Sequence, residues 1–375
     1  MQFEQFVSLI SQICSHTPLA GGRPLYWTII ANPKAGGFTI KSRWKKHYAM
    51  LLASSQKADK NPLREGSGPS DTAIKEGGET GAAGLVFTRA AGHAGELTEA
   101  LLNEAARRNA GASTQTRPFY LIITAGGDGT SLEVMTALLN AAEEIRRDFI
   151  ILRLPMGTGN DGADARELDK ALDLLIEPAE PVRQRAVLLK TASGKGPFPA
   201  FNILSVGLDA FVTHMTNKMK GKMPGDSYKL WIDVAALFYD RIYNVDYMDV
   251  RSFNAEGKEV MAFREKLLLL AMGESGRRTY GSNKKILPDE RNVCALKQMP
   301  LLRKLTLKAQ FYSGTHPDKK EAMLWNASSV EISGRHPVLA QMDGEAVLLD
   351  EGDFPVVIEL SEPVIPILRG KGTNT

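Results

Sequence analysis

Residues 119–130 read FYLIITAGGDGT. The run from Phe119 to Ala125 suits a strand buried on both faces, and Gly126-Gly127-Asp128-Gly129-Thr130 ends it with a turn that lets backbone approach a ligand closely. The following stretch, Ser131 to Arg147, is rich in Ala, Leu and Glu and reads as a helix. Strand, glycine turn and helix make half of a βαβ unit, so these residues predict a parallel sheet flanked by helices.

The same rhythm extends outward. Tyr26 to Ala31, Leu85 to Thr88 and Phe149 to Leu154 are further strand-like runs, and Gly95 to Arg108 reads as a helix. An open α/β domain is therefore expected over residues 1–180. From about 54 to 84 the chain is Gly, Ala, Ser, Lys and Glu with few apolar residues, which predicts a flexible surface insertion. Phe3, Phe6, Val7, Ile10 and Cys14 recur at helical spacing, and predict a short helix docked on this domain.

Beyond Pro178 to Pro181 the pattern changes. Val182–Leu189, Phe201–Val206, Val245–Phe253, Leu267–Met272, Leu305–Tyr312, Val330–Ile332, Val338–Met342 and Val356–Leu360 are short apolar runs between turns. They predict a largely antiparallel β-sandwich over 181–375, interrupted by a helix at Ser227–Asp240, with a last segment free to return to the first domain.

Composition narrows the function classes. A formal net charge of +3 argues against a dedicated nucleic-acid binder, and leaves room for a local basic face at an anionic membrane. Two distant cysteines, Cys14 and Cys294, fit neither a disulfide framework nor a zinc site, and a reducing cytoplasm follows. No apolar run is long enough to span a bilayer. Any work on lipids is expected from the cytoplasmic side of the membrane surface. Oligomeric state is not legible, and a homodimer is among the assemblies left open.

Three turns carry the chemistry. Asn32-Pro33-Lys34-Ala35-Gly36-Gly37, Gly126 to Thr130 and Leu154 to Asp161 each follow a predicted strand, so all three emerge at the carboxyl edge of a parallel sheet, where ligands bind. Singly, each turn is ordinary punctuation; in series they point to a nucleotide site. Asp128 and Asp161 would repel phosphates unless Mg²⁺ lies between, which favours metal-assisted phosphoryl transfer over a dinucleotide fingerprint. No P-loop sequence is present.

In these turns, and in order, the chain resembles the diacylglycerol kinase catalytic-domain family, which includes bacterial lipid kinases, sphingosine kinases and ceramide kinases. The resemblance continues through Thr88 with Gly92-His93-Ala94, Ser205 to Ala210, Tyr280-Gly281 with Pro288-Asp289, and Asp343-Gly344-Glu345. It implies a two-domain enzyme with ATP between an α/β domain and a β-sandwich. Gly126, Gly127, Gly129 and Thr130 would line the phosphates, with Asn32, Thr88, Thr158 and Asn160 around the nucleotide. Asp128 would be linked through Mg²⁺ and water to Asp161 and Asp209, and Glu345 would approach from the second domain. The Gly126 turn alone is shared with NAD kinases, which makes a small-molecule kinase the rival enzyme.

One departure stands out. The family's Asp-Gly pair, whose aspartate serves as base for the lipid hydroxyl, falls on Cys294 and Ala295 when counted without a gap from Pro288, and Ser275 replaces the usual asparagine. Either Asp289, Glu290 or Glu345 acts as the base, or the chain is a catalytically impaired nucleotide- and lipid-binding protein.

Overall fold

A computed structural model describes residues 2–62, 68–69, 84–111, 116–157, 160, 162–178, 180–219, 236, 238–281 and 284–369. The chain divides into two units: one takes residues up to Gln184 together with the segment from Pro363, and the other is Arg185–Glu362.

In the first unit, Leu25–Ala31 sits beside Phe119–Gly126 over seven parallel register positions, and Phe119–Gly126 pairs in turn with Phe149–Pro155. Leu85–Phe87 adds on the other side of Leu25–Ala31, and Ile365–Ile367 pairs parallel with Phe149–Pro155. The edge strand Val182–Gln184 runs antiparallel. The near-continuous apolar runs follow from burial on both faces. Ile29 and Ala31 point into one core with Leu121 and Ile123, while their neighbours point to the opposite face. That core also takes Phe6, Ile10 and Cys14 from the helix Gln2–His16, with the Phe3 ring tilted against that of Phe38 at 4.8 Å between centroids, so the N-terminal helix is docked as its spacing predicts.

Two boundaries move. The helix Lys41–Ala58 runs through residues 54–58, which were expected to begin the insertion; Leu51, Ser54, Ser55 and Ala58 are its buried stripe, recurring at helical spacing. Most of the remaining insertion lies outside the described residues. The helix expected from Ser131 begins at Asp128 instead and ends at Asn140, with a short turn of helix at Glu143–Arg146. Asp128 and Gly129 are thus first-turn helix residues, where a carboxylate is favoured by the helix dipole.

The second unit is built of antiparallel pairs. Its organiser is the 15-residue strand Glu259–Gly273, far longer than the apolar run that announced it. Its first half pairs with Tyr247–Phe253, and its second half with Ile203–Gly207 and Val293–Lys297. The two halves close on a common core that includes Val187, Leu189, Val206, Leu270, Val330 and Ile358. Val182–Leu189 is not one strand but two, Val182–Gln184 in the first unit and Val187–Thr191 in the second. Leu305–Tyr312 is not a strand at all but lies within the helix Leu301–Ser313, started after Pro300 and ended by Gly314 at φ +76°. Of the helix expected at Ser227–Asp240, most lies outside the described residues; Tyr239–Ile242 is a single helical turn.

A buried acid gives this unit a pH signature. Asp353 accepts from Ser193 Oγ (2.5 Å), Lys195 Nζ (2.9 Å) and the Asp350 N–H (2.8 Å), and these donors, Ser193 first, hold its carboxyl down to about 2. A lowered native value means stability that is present above the unfolded carboxyl value of about 3.9 and is lost as pH falls through 2. Asp353→Asn is expected to flatten the fall in melting temperature of this unit between about pH 4 and pH 2. Parallel acid melts of the two proteins would show the same fall if the carboxylate were not responsible.

Candidate active site

The carboxyl edge of the first sheet brings the three turns into contact. The Asn32 N–H donates to Ala125 O (3.0 Å), the Thr88 N–H to Ala31 O (2.9 Å) and the Gly37 N–H to Met156 O (2.8 Å). Asn32 Oδ1 accepts the Lys34 N–H (2.9 Å), which closes the Asn-Pro turn on itself, and Lys34 points to solvent. Asn160, at φ +58°, folds its amide back so that Oδ1 takes the Gly157 N–H (2.7 Å) and Nδ2 donates to Gly157 O (3.1 Å). Asparagine tolerates that left-handed conformation better than most residues.

The glycines separate into two kinds. A Cβ at Gly126 would lie 2.5 Å from Thr130 Oγ1, and one at Gly157 would lie 2.5 Å from Gly127 Cα. These two are required by packing. Gly127 is different: at φ −95° its backbone needs no glycine, and the first atom a Cβ would meet is Gly157 Cα at 3.8 Å. Among the described residues no other atom lies within 4 Å of that position, which stands at the N-terminus of the helix Asp128–Asn140, where a phosphate is favoured by backbone N–H groups and the dipole. The residues present therefore fit a nucleotide phosphate.

Asp128 stands at that helix start, and its Oδ1 accepts the Gly162 N–H (3.0 Å). Thr130, buried, fills the space over Gly126. Thr158, Gly159 and Asp161 lie outside the described residues. Among the described residues no three His, Cys, Asp or Glu side chains cluster as a metal-ion site. Mg²⁺ keeps several waters and needs only one or two carboxylates besides phosphate oxygens, so Asp128 fits such an ion without a cage.

Of the set Asp128, Asp161 and Asp209, Asp161 lies outside the described residues, and the other two fall in different units. Asp209 belongs to the second unit, 8% exposed, accepting from Ser205 Oγ (2.9 Å) and Gln341 Nε2 (3.3 Å). Burial raises its carboxyl above the usual range, against the opposing pull of Lys284. Within the same unit, Asp343-Gly344 forms a hairpin turn with both residues at positive φ, as an Asp-Gly pair does in a type I′ turn. The Asp343 carboxylate takes the N–H groups of Phe201, Asn202 and Ile203, a structural task. Glu345 follows as the exposed first residue of the strand Glu345–Leu349.

Cys294 is the clearest correction. It lies within the strand Val293–Lys297, fully buried, opposite Ala271 and Leu324, and burial pushes its thiol up to about 12. This is a core position rather than a vacated base. Asp289 stands in the turn before that strand, paired with Arg291 through Nε to Oδ1 (3.0 Å) and Nη2 to Oδ2 (2.5 Å). The guanidinium holds its carboxyl below the ordinary range.

Sequence reading missed two supports. Arg153 and Asp164, 3% and 2% exposed, pair at 2.6 Å, and Asp164 Oδ2 also takes the Arg153 N–H (2.7 Å). An arginine inside the apolar run FIILRLP was the available signal, because a buried cation requires a partner. Glu133 takes the N–H groups of Gly92 (2.8 Å) and Ala94 (2.9 Å), so the Gly-His-Ala segment is a capped helix start, and His93 accepts the Arg89 N–H (3.1 Å) rather than serving as a base.

Residues 26–188 match the family model described as the diacylglycerol kinase catalytic domain. The chain is 26% identical over 241 residues to a probable YegS-like lipid kinase of Cronobacter sakazakii, covering 64% of this chain and 75% of that one. A relative of the same description from Yersinia enterocolitica is 26% identical over 227 residues, or 60% and 71% of the two chains. A solved diacylglycerol kinase structure from Bacillus anthracis str. Sterne superposes with a TM-score of 0.51 at 15% identity, covering 92% of this chain and 97% of that one. A second structure from the same organism gives a TM-score of 0.55 at 17% identity, covering 92% and 95%. At those identities the structural likeness speaks to the fold.

Proposed function

We propose, from the match of residues 26–188 to the diacylglycerol kinase catalytic-domain model, that the chain transfers the γ-phosphoryl group of ATP to the hydroxyl of diacylglycerol, working from the cytoplasmic face of a membrane. The single observation that carries this reading is Gly127, a glycine that neither its backbone angles nor its packing demands, set at a helix start beside Asp128. When bound, ATP supplies the phosphoryl group and Mg²⁺ the counter-charge. Gly126 and Gly127 would receive the phosphates, Asn32 and Asn160 hold the turns around them, and Asp128 would hold the metal. The proton of the lipid hydroxyl is assigned to Asp289. Its lowered value keeps it ionised at neutral pH, and a weak carboxylate base suffices where the transition state is loose. No helix among the described residues is long and apolar enough to cross a membrane, consistent with work at its surface.

Radiolabelled ATP with vesicles carrying diacylglycerol tests the reading. Wild type should label the lipid, and Asp128→Asn should lower the rate about 10²-fold with its melting temperature retained. Gly127→Ala should weaken ATP binding at least tenfold while costing no more than about 1 kcal/mol of stability. Absence of labelled lipid with wild-type protein, or full ATP affinity in Gly127→Ala, would refute it.

A further inference from the structure

The helix Gln2–His16 lies outside the residues that match the family model, 26–188, yet its first turn reaches the candidate site through aromatic contacts. Phe3 meets Phe38 and Phe87, each at 4.8 Å between ring centroids, the second of them edge-on. Gln2 Nε2 donates to Phe38 O (2.7 Å), so the helix holds both the ring and the backbone of that residue. Phe38 stands directly after the Asn32–Gly37 turn, and Phe87 directly before Thr88. One side chain thus touches the neighbours of two of the turns that converge on the site.

From Phe38 onward the packing has no slack. A Cβ at Gly37 would lie 2.9 Å from both Met156 O and Met156 Cε and 3.0 Å from His47 Cε1, so the first turn is clamped against the third. The third is clamped against the second in the same way, since a Cβ at Gly157 would overlap Gly127 Cα. Thr88 is tied to the end of the first strand by its N–H on Ala31 O. Close-packed groups pass a displacement on rather than absorb it. Phe3 itself adds little to the core: it is half-buried, as is Phe87, whereas Phe6, Ile10 and Ile13 are fully buried and anchor the helix.

We propose that Phe3 is a positioning residue, which acts through Phe38 and Phe87 to fix the Asn32–Gly37 and Thr88 turns in the arrangement that receives a nucleotide. The proposal rests on the nucleotide reading of Gly127. The helix Gln2–His16 then serves the site without touching the ligand, because every step from Phe3 to Gly127 is a contact between packed groups.

Calorimetric titration with ATP and amide hydrogen exchange on the same proteins test this. Phe3→Ala should weaken ATP binding about tenfold, and Phe3→Leu, which keeps most of the apolar contact, should retain most of the affinity. Ile13 lies about 15 Å further along the helix. Ile13→Val removes a methyl group from that fully buried site, and should lower the melting temperature comparably while ATP affinity stays at the wild-type value. Exchange across residues 32–38 and 85–92 should quicken in Phe3→Ala and not in Ile13→Val. Equal affinity losses in Phe3→Ala and Ile13→Val would make Phe3 an ordinary core residue, and unchanged affinity in Phe3→Ala would overturn the proposal outright. If wild type binds no ATP, exchange decides. Quickening confined to Phe3→Ala keeps Phe3 as the residue that positions the turns while the nucleotide reading fails, and equal exchange in the two variants removes both.

Discussion

Asp164→Ala is expected to destabilise the first unit by about 3–5 kcal/mol, the largest single loss from any one side chain near the candidate site. Asp164 holds Arg153 by Nε (3.1 Å) and Nη2 (2.6 Å) and takes the Arg153 N–H with its other oxygen. Truncation leaves a guanidinium that is 3% exposed with Gln184 Oε1, at 3.2 Å, as a remaining neutral acceptor. It also removes an acceptor from the strand backbone. The pair spans 11 residues of chain that include Gly157, Asn160 and Gly162, so its loss releases the third turn of the site. ATP affinity should fall with stability, although Asp164 belongs to no predicted phosphate contact. Asp164→Asn retains the backbone acceptor and should cost less. The double replacement Arg153→Met with Asp164→Leu should recover much of the stability, because an apolar pair of similar volume carries no desolvation penalty. Urea denaturation followed by tryptophan fluorescence measures all three. A loss below about 1 kcal/mol for Asp164→Ala would show that water reaches the pair.

What could be read from sequence divides along physical lines. The parallel sheet was legible because Tyr26–Ala31, Phe119–Ala125 and Phe149–Leu154 are short runs buried on both faces, each ended by a glycine or Asn-Pro turn. The three turns were legible for the same reason, since strand direction alone sends them to one edge. The helix Leu301–Ser313 was not, because Leu305-Thr306-Leu307-Lys308 alternates as a half-buried strand does. Its exposed leucines made the alternation look like a buried face. Pro300 before it and Gly314 after it were the signals that could have settled the matter. The roles of Asp209 and Asp343 depended on contacts with Gln341 and with Phe201–Ile203, more than 130 residues distant in each case, and no local pattern carries such pairings. Gly127 is the opposite case: the motif named it, although neither its backbone angles nor its packing demands a glycine there.

Counting along the chain from Pro288 makes Cys294→Asp look like restoration of a lost base; the structure makes it the second largest expected loss. Position 294 is the fully buried second residue of a five-residue strand, hydrogen-bonded into a sheet on both sides, with Leu296, Leu269 and Phe311 in the same core cluster. A carboxyl placed there folds neutral. Raising its value from about 3.9 to beyond 7 costs about 4 kcal/mol at neutral pH, at 1.36 kcal/mol per pKa unit. The sign is testable. Because the native state would hold the proton that the unfolded chain gives up above about pH 4, the variant's deficit should grow as pH rises from 4 to 7 and shrink again on acidification. Cys294→Ser, which adds no titrating group near neutrality, should show a smaller deficit with no such slope. Neither substitution should raise phosphoryl transfer, whereas Asp289→Asn should lower it about 10²-fold with stability nearly unchanged, since Asp289 is 40% exposed. A Cys294→Asp protein that melts with wild type and turns over faster would return the base to position 294 and displace Asp289.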